Sequence, residues 1–413
     1  MNLKKTILIA TIITTFLYPP LTAAETQKID LNAIQKLANE GSMNAQISLG
    51  YLYSHGEKVS QDYIKAAKWY EKAAEQGSNI AQILLGSMYY NGEGVLQNYV
   101  KAAEWYEKAA NQGSAGAQIL LGSMYYNGEG VLQNYVKALE WYQKAANQGN
   151  AQAQFNLGSM YERGQGVPQN YVKAAEWYQK AANQGNAQAQ FNLGVSYAEG
   201  QGVPQNYVKA AEWYQKAANQ GNTDAQNNLG GLYSKGKGVP KNYTQAAEWY
   251  LKAANQGNAN AQNNLGGLYS NGEGVPQDYA KALEWYRKSA DQGSANAEFN
   301  LALMYEKGRG IPKNYTQAIH WYRKAANQGN VYAQFNLGMS YAEGEGVEKN
   351  YTQAAAWFRK AADQGNDNAQ YNLATLYYRG LGVPKNINVA KQWYRKAAIQ
   401  GNSEAKNFLD SLK

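Results

Sequence analysis

The sequence predicts an all-α fold, an α/α right-handed superhelical solenoid of ten 36-residue helix-pair repeats with half-repeat caps. Three observations carry this. The ten tryptophans, Trp69, Trp105, Trp141, Trp177, Trp213, Trp249, Trp285, Trp321, Trp357 and Trp393, are spaced at 36 residues without interruption, and a fixed period of that length means stacked supersecondary units. Apolar residues within each unit follow a helical rather than a strand period. Glycine and asparagine recur where helices must stop and start.

The first 24 residues read as a secretory signal peptide. Lys4 and Lys5 form a basic start, Thr6 to Tyr18 is a short, mostly apolar run, Pro19 and Pro20 break it, and Thr22-Ala23-Ala24 offers small residues for cleavage near Ala24. The run is too short for a comfortable span of about 20 residues. Expected localisation is therefore periplasmic or secreted, and the chain is not expected to be an integral membrane protein. Residues 25–44 are expected to include an N-terminal capping helix, because Leu31 to Gly41 aligns with the second half of a unit. Residues 45–404 hold the ten repeats, and 405–413 begin another unit as a C-terminal cap.

The unit at Ala153 illustrates the elements. The first helix starts near Asn150 and covers Ala153 to Tyr161, Gly164 and Gly166 end it, and Val167-Pro168-Gln169 connects. Asn170 caps the second helix, Tyr171 to Asn183, and Gly185 closes it. Advancing 100° per residue, Ala174, Ala175, Trp177, Tyr178, Ala181 and Ala182 fall within an arc of about 160°. Lys173, Glu176, Gln179, Lys180 and Asn183 share the opposite, wet face. Gly158 recurs inside the first helices, with Ala302 and Ala374 as its small replacements, which requires close approach of a neighbouring helix.

Leu, Ile, Val and Phe make up only roughly 17% of the chain, a level often seen in disordered sequences. Here 35 Tyr, 10 Trp and abundant Ala supply the core instead. There is no cysteine, so disulfides, thiolate chemistry and cysteine metal sites are excluded. The formal charge of +8 falls to about +6 once Lys4 and Lys5 leave. For an exported chain, nucleic acid is not an expected partner, and the relevant anions are envelope polymers, lipid headgroups or acidic proteins.

The pattern Ala-Gln-x-x-Leu-Gly-x-x-Tyr (Ala153 to Tyr161), Gly-x-Gly-Val-Pro (Gly164 to Pro168) and Ala-Ala-x-Trp-Tyr-x-Lys-Ala-Ala-x-Gln-Gly (Ala174 to Gly185) resembles the Sel-one-like repeat (SLR) family. These are relatives of tetratricopeptide repeats, and the match covers residues 30–413. The resemblance implies a superhelix that acts as an adaptor between proteins. Bacterial exported members often resemble factors for signalling, envelope organisation or host-cell contact. Some exported relatives carry a disulfide in each repeat; this chain has none.

No catalytic constellation is visible. His55 and His320 are the two histidines, and neither has a partner at metal-ligand spacing. Glu176 and its copies precede a lysine by four residues, the spacing of a helix-stabilising pair. Gly164-Gln165-Gly166 lacks the third glycine of a dinucleotide fingerprint. The expectation is a scaffold rather than an enzyme, with no catalytic, metal or cofactor site and an unidentified protein or peptide ligand. Alternatives are a cell-wall or β-lactam hydrolase and a structural protein binding anionic envelope polymers.

Two surfaces are candidates for partners. Phe155, opposite the apolar stripe of its helix, has as copies Phe191, Phe299, Phe335 and Tyr371, with a polar gap at Asn227 and Asn263. The position of Glu162 carries Tyr90, Tyr126 and Tyr378. These rings are candidate groove anchors for an extended or helical segment; the same rings could instead fill the core between repeats. A basic ladder of Arg287, Arg323, Arg359 and Arg395 is a candidate anion-binding strip, or an ordinary solvated face.

Overall fold

The structure, a computed structural model, describes residues 30–411. The expected signal peptide and cleavage point lie outside the described residues. Within them there are 22 helices, α1 to α22, and no strand. α1 (Leu31–Asn39) precedes ten helix pairs, the first being α2 (Met43–His55) with α3 (Tyr63–Glu75), the last α20 (Asp367–Arg379) with α21 (Ile387–Ile399); α22 (Ser403–Ser411) follows. Consecutive helix pairs repeat at 36 residues, as the tryptophan spacing requires.

Local chemistry sets the boundaries. In α8 (Ala151–Arg163) the Asn150 side chain accepts from the Ala153 amide at 3.0 Å, and Gly164 closes the helix in the left-handed conformation. In α9 (Tyr171–Asn183) the Asn170 side chain accepts from the Lys173 amide at 2.9 Å. Each cap satisfies a backbone donor that the first turn cannot pair internally.

The chain forms two compact units, one ending at Trp213 and one beginning at Tyr214. In the first, the core repeats one recipe. Tyr178, Leu157 and Met160 are buried with Ala174, Ala181 and Ala182. Each large side chain contributes about 1.5–3 kcal/mol by burial. The alanines let helices approach, and Gly158 has its reason here: a Cβ on it would lie 2.7 Å from the Tyr178 ring. α1 covers α2 through Ala38, Ala45 and Leu49. In the second unit the same recipe uses Tyr322, Leu337 and Met304, and α22 adds Ala405, Phe408 and Leu409 beside Tyr394.

A buried polar thread accompanies this core. Gln154 is 5% exposed, and its amide donates to the Ala146 carbonyl of the preceding repeat at 3.2 Å. Its own carbonyl oxygen accepts from Gln184, just past the end of α9, at 2.8 Å. Gln82, Gln118, Gln262, Gln334 and Gln370 make the same pair of bonds in their repeats. A buried amide is stable only when its donor and acceptor are both used, and here one side chain ties three helices together.

Candidate functional site

The aromatic row on the first helices is half-buried. Ile47, Ile83 and Ile119 at this position are buried, whereas Phe155, Phe191, Phe299, Phe335 and Tyr371 retain partial exposure. Four of these rings lean on the second helix of their own repeat: Phe155 on Tyr178, Phe299 on Tyr322 and Phe335 on Phe358 at 5.9 Å between centroids, Tyr371 on Tyr394 at 5.6 Å. One edge is packed and the other reaches solvent. Tyr332, which periodicity did not single out, is 63% exposed and stacks obliquely on Phe299 at 5.9 Å. Phe299, Tyr332 and Phe335 thus share one open aromatic stretch in the second unit.

The polar gap is an amide lattice. Asn264 donates to Asn227 at 3.1 Å and Asn300 donates to Asn263 at 2.9 Å, each bond joining successive repeats. A second row of asparagines, one residue further on at Asn228, Asn264 and Asn300, was the signal for it.

The tyrosine set is tied more firmly. The Tyr90 hydroxyl donates to Glu129 at 2.7 Å and that of Tyr126 to Gln165 at 2.8 Å, both in the following repeat. Burial together with the Glu129 carboxylate pushes the Tyr90 phenol well above its usual pKa. The Tyr378 ring meets Phe408 edge-on at 4.9 Å. Where Glu162 takes this position, it accepts from the buried Tyr178 hydroxyl at 2.7 Å.

The arginine ladder has partners within the fold. Arg287 donates to the Tyr305 hydroxyl and Arg323 to that of Tyr341, both at 3.0 Å; Arg359 does the same to Tyr377. Arg395 is exposed. In earlier repeats a lysine lies over the ring of the equivalent tyrosine, as Lys173 does over Tyr161 at 5.3 Å. The helix pairs expected from Glu-to-Lys spacing also differ. Glu284–Lys288 closes at 2.6 Å, but Lys108, Lys144 and Lys180 rest on the indole faces of Trp105, Trp141 and Trp177, each at 3.8 Å. An exposed ion pair gains little in water, whereas the ring offers both a cation–π attraction and cover for the lysine stem.

The histidines carry no reactive geometry. His55 Nδ1 lies 2.8 Å from Ser54 Oγ, but both groups converge on the Tyr51 carbonyl, at 3.0 and 2.9 Å, so the serine proton already has its acceptor. His320 is exposed and meets Trp321 edge-on. Among the described residues no group of His, Asp and Glu is arranged to hold a metal ion, and no helix is long and apolar enough to cross a membrane.

Stacked helix pairs whose polar side chains recur with the frame define a helical-repeat protein that offers surfaces for binding. The chain belongs to the Sel1 repeat family: the family model matches ten consecutive segments, 44–78, 79–114, 115–150, 151–186, 187–222, 223–258, 259–294, 295–330, 331–366 and 367–402. Proteins of this family are generally protein-interaction scaffolds and generally non-catalytic. Among solved structures, the chain is similar to c5321, described as a protective antigen present in uropathogenic Escherichia coli strains and displaying an SLR fold. Identity is 38% over 94% of this chain and 91% of that one, with a TM-score of 0.69. It is also similar to a Sel1 repeat protein from Oxalobacter formigenes, at 34% identity over 75% of this chain and 90% of that one, with a TM-score of 0.61. No curated protein matches the chain.

Proposed function

We propose that this chain is an exported bacterial adaptor that holds a protein or peptide partner along the first-helix face, with Phe299, Tyr332 and Phe335 as anchors. The observation that carries this reading is variation inside a fixed frame. Asparagine at 227 and 263 builds the same first helix as phenylalanine at 299 and 335. The fold therefore does not demand the half-exposed rings, and aromatic groups of this kind are the usual energetic centres of protein interfaces. Export is supported by the basic, apolar and small-residue order of the first 24 residues. The similarity to an E. coli protein described as a protective antigen is in keeping with a role at the cell envelope or in host contact.

Crosslinking capture with the mature chain, from bacterial envelope and from eukaryotic lysate in parallel, tests the reading. A specific partner should be lost about tenfold or more from the Phe299→Asn/Phe335→Asn variant, the loss expected of an interface hot spot, at unchanged helix content. Equal recovery on both proteins would remove the aromatic face from the interface. Protease protection of the full-length chain in whole cells checks export.

A further inference from the structure

A different surface carries an apolar and basic band that the scaffold does not need. Leu96 and Leu132 are each 90% exposed. Ile64, Val100, Val136, Val172 and Val208 are 52–59% exposed and occupy the same position, the second residue of the second helix, in five consecutive repeats. Backbone packing brings the two sets together. Gly94 and Gly130 sit so close to the preceding repeat that a Cβ would fall 2.1 Å from the Tyr63 carbonyl oxygen and 2.2 Å from that of Tyr99. The loops bearing Leu96 and Leu132 are thereby seated beside Ile64 and Val100.

A lysine follows each member of the row: Lys65, Lys101, Lys137, Lys173 and Lys209, all exposed. Their ammonium groups lie over the rings of Tyr53, Tyr89, Tyr125, Tyr161 and Tyr197 at 5.0–5.3 Å from the centroids. Lys65 pairs with Asp62 at 3.4 Å. Among the described residues no carboxylate pairs with Lys101, Lys137, Lys173 or Lys209.

The rest of the chain shows that helix capping is indifferent to this band. Thr244-Gln245, Thr316-Gln317 and Thr352-Gln353 stand at the same positions in the second unit, under the same asparagine caps. Ala280-Lys281 and Asn388-Val389 each keep at most one of the two features. The position of Leu96 and Leu132 is Ser60, Pro168, Pro204, Pro240, Pro276, Pro312, Glu348 and Pro384 in the other repeats. Large exposed apolar side chains and exposed lysines are thus concentrated together in the first five repeats.

Exposed aliphatic groups interleaved with cations complement an anionic amphiphile. Like charges along the band oppose docking of a second copy band to band. The leucines are projections, which enter a fluid boundary readily but give a folded partner no recess to fill. We propose that this band docks the protein peripherally on an anionic lipid bilayer, with Leu96 and Leu132 entering the acyl boundary and the lysine row lying among the headgroups. This contact is separate from the aromatic face and stands whether or not that face binds a protein.

The test is co-sedimentation of the mature chain with vesicles of phosphatidylcholine alone or mixed with phosphatidylglycerol. Two variants use only residues that the chain itself places at these positions: Leu96→Pro/Leu132→Pro, and Val100→Thr/Lys101→Gln/Val136→Thr/Lys137→Gln. The wild type should bind the anionic vesicles about tenfold better than the neutral ones and lose the difference in high salt. Each variant should weaken binding about fivefold or more with helix content unchanged. Absence of wild-type binding to anionic vesicles, or undiminished binding by both variants, overturns the proposal. So does loss of binding in Arg287→Gln/Arg323→Gln instead, which would move the contact to the arginine ladder. If vesicles are ignored and the band variants instead lose a crosslinked acidic protein, the band belongs to that protein and the lipid assignment falls.

Discussion

At the scale of single residues, the buried glutamine thread has one informative exception. Glu298 occupies the position of Gln154 and is 1% exposed. Its carboxylate accepts from Gln328 at 2.7 Å and has Lys324 at 3.9 Å, but it has no N–H to offer the Ala290 carbonyl that the amide of a glutamine would reach. Burial raises its pKa above the ordinary glutamate value, with Lys324 and Gln328 pulling the other way. A raised acid in the folded state stabilises the fold below the unfolded pKa, and that contribution is lost as pH rises through the folded value. Glu298→Gln should therefore stabilise the protein by about 1–2 kcal/mol at pH 7, by restoring a buried hydrogen bond, and by less at pH 4. Urea unfolding of both proteins at the two pH values measures this. An advantage of the variant that is independent of pH would show that the carboxyl stays in one protonation state.

At the scale of the element, the helix boundaries were legible because their chemistry is local. Asn150, Asn170 and Gly164 act within a few residues of themselves, and the structure uses them as the sequence indicated. Asn170→Ala should cost about 1 kcal/mol through loss of the cap, read as a lower urea midpoint with an unchanged slope. An unaltered midpoint would show that Asn170 does not hold this helix end. What the sequence hid was contact between elements. The 100° wheel placed Phe155 away from the apolar stripe, yet a first helix is covered on two sides and the ring leans on Tyr178. Glu176 and Lys180 stand at ion-pair spacing, but Trp177, three residues before the lysine, offers it a better surface. The recurring glutamine on an otherwise apolar face was visible in every repeat but the one that carries Glu298. Its partners, eight residues back and thirty ahead, became apparent only with the helices in place.

For the molecule as a whole, repetition makes stability close to a sum over repeats and their nearest-neighbour interfaces. The repeats beginning at Ala81 and Ala117 differ only at 103/139, 107/143, 114/150 and 116/152. Removing residues 117–152 should therefore join near-identical surfaces and leave a folded protein. Helical ellipticity should fall by about a tenth, with a modest loss in unfolding midpoint, if each repeat contributes alike. Collapse of cooperative unfolding in circular dichroism would show that the repeats are not interchangeable.

The thread of side-chain amides bears on how such a gene can change length. Gln154 reaches back to Ala146 and is reached by Gln184, so every glutamine-bearing copy of the period brings both halves of the linkage with it. Unequal recombination by any whole number of periods leaves each amide facing a carbonyl, whereas a slip out of phase would strand several at once. Copy number is thus free to drift in lineages while the interior chemistry stays closed, and the reach of the protein becomes an inherited variable that selection can tune without redesigning a single contact.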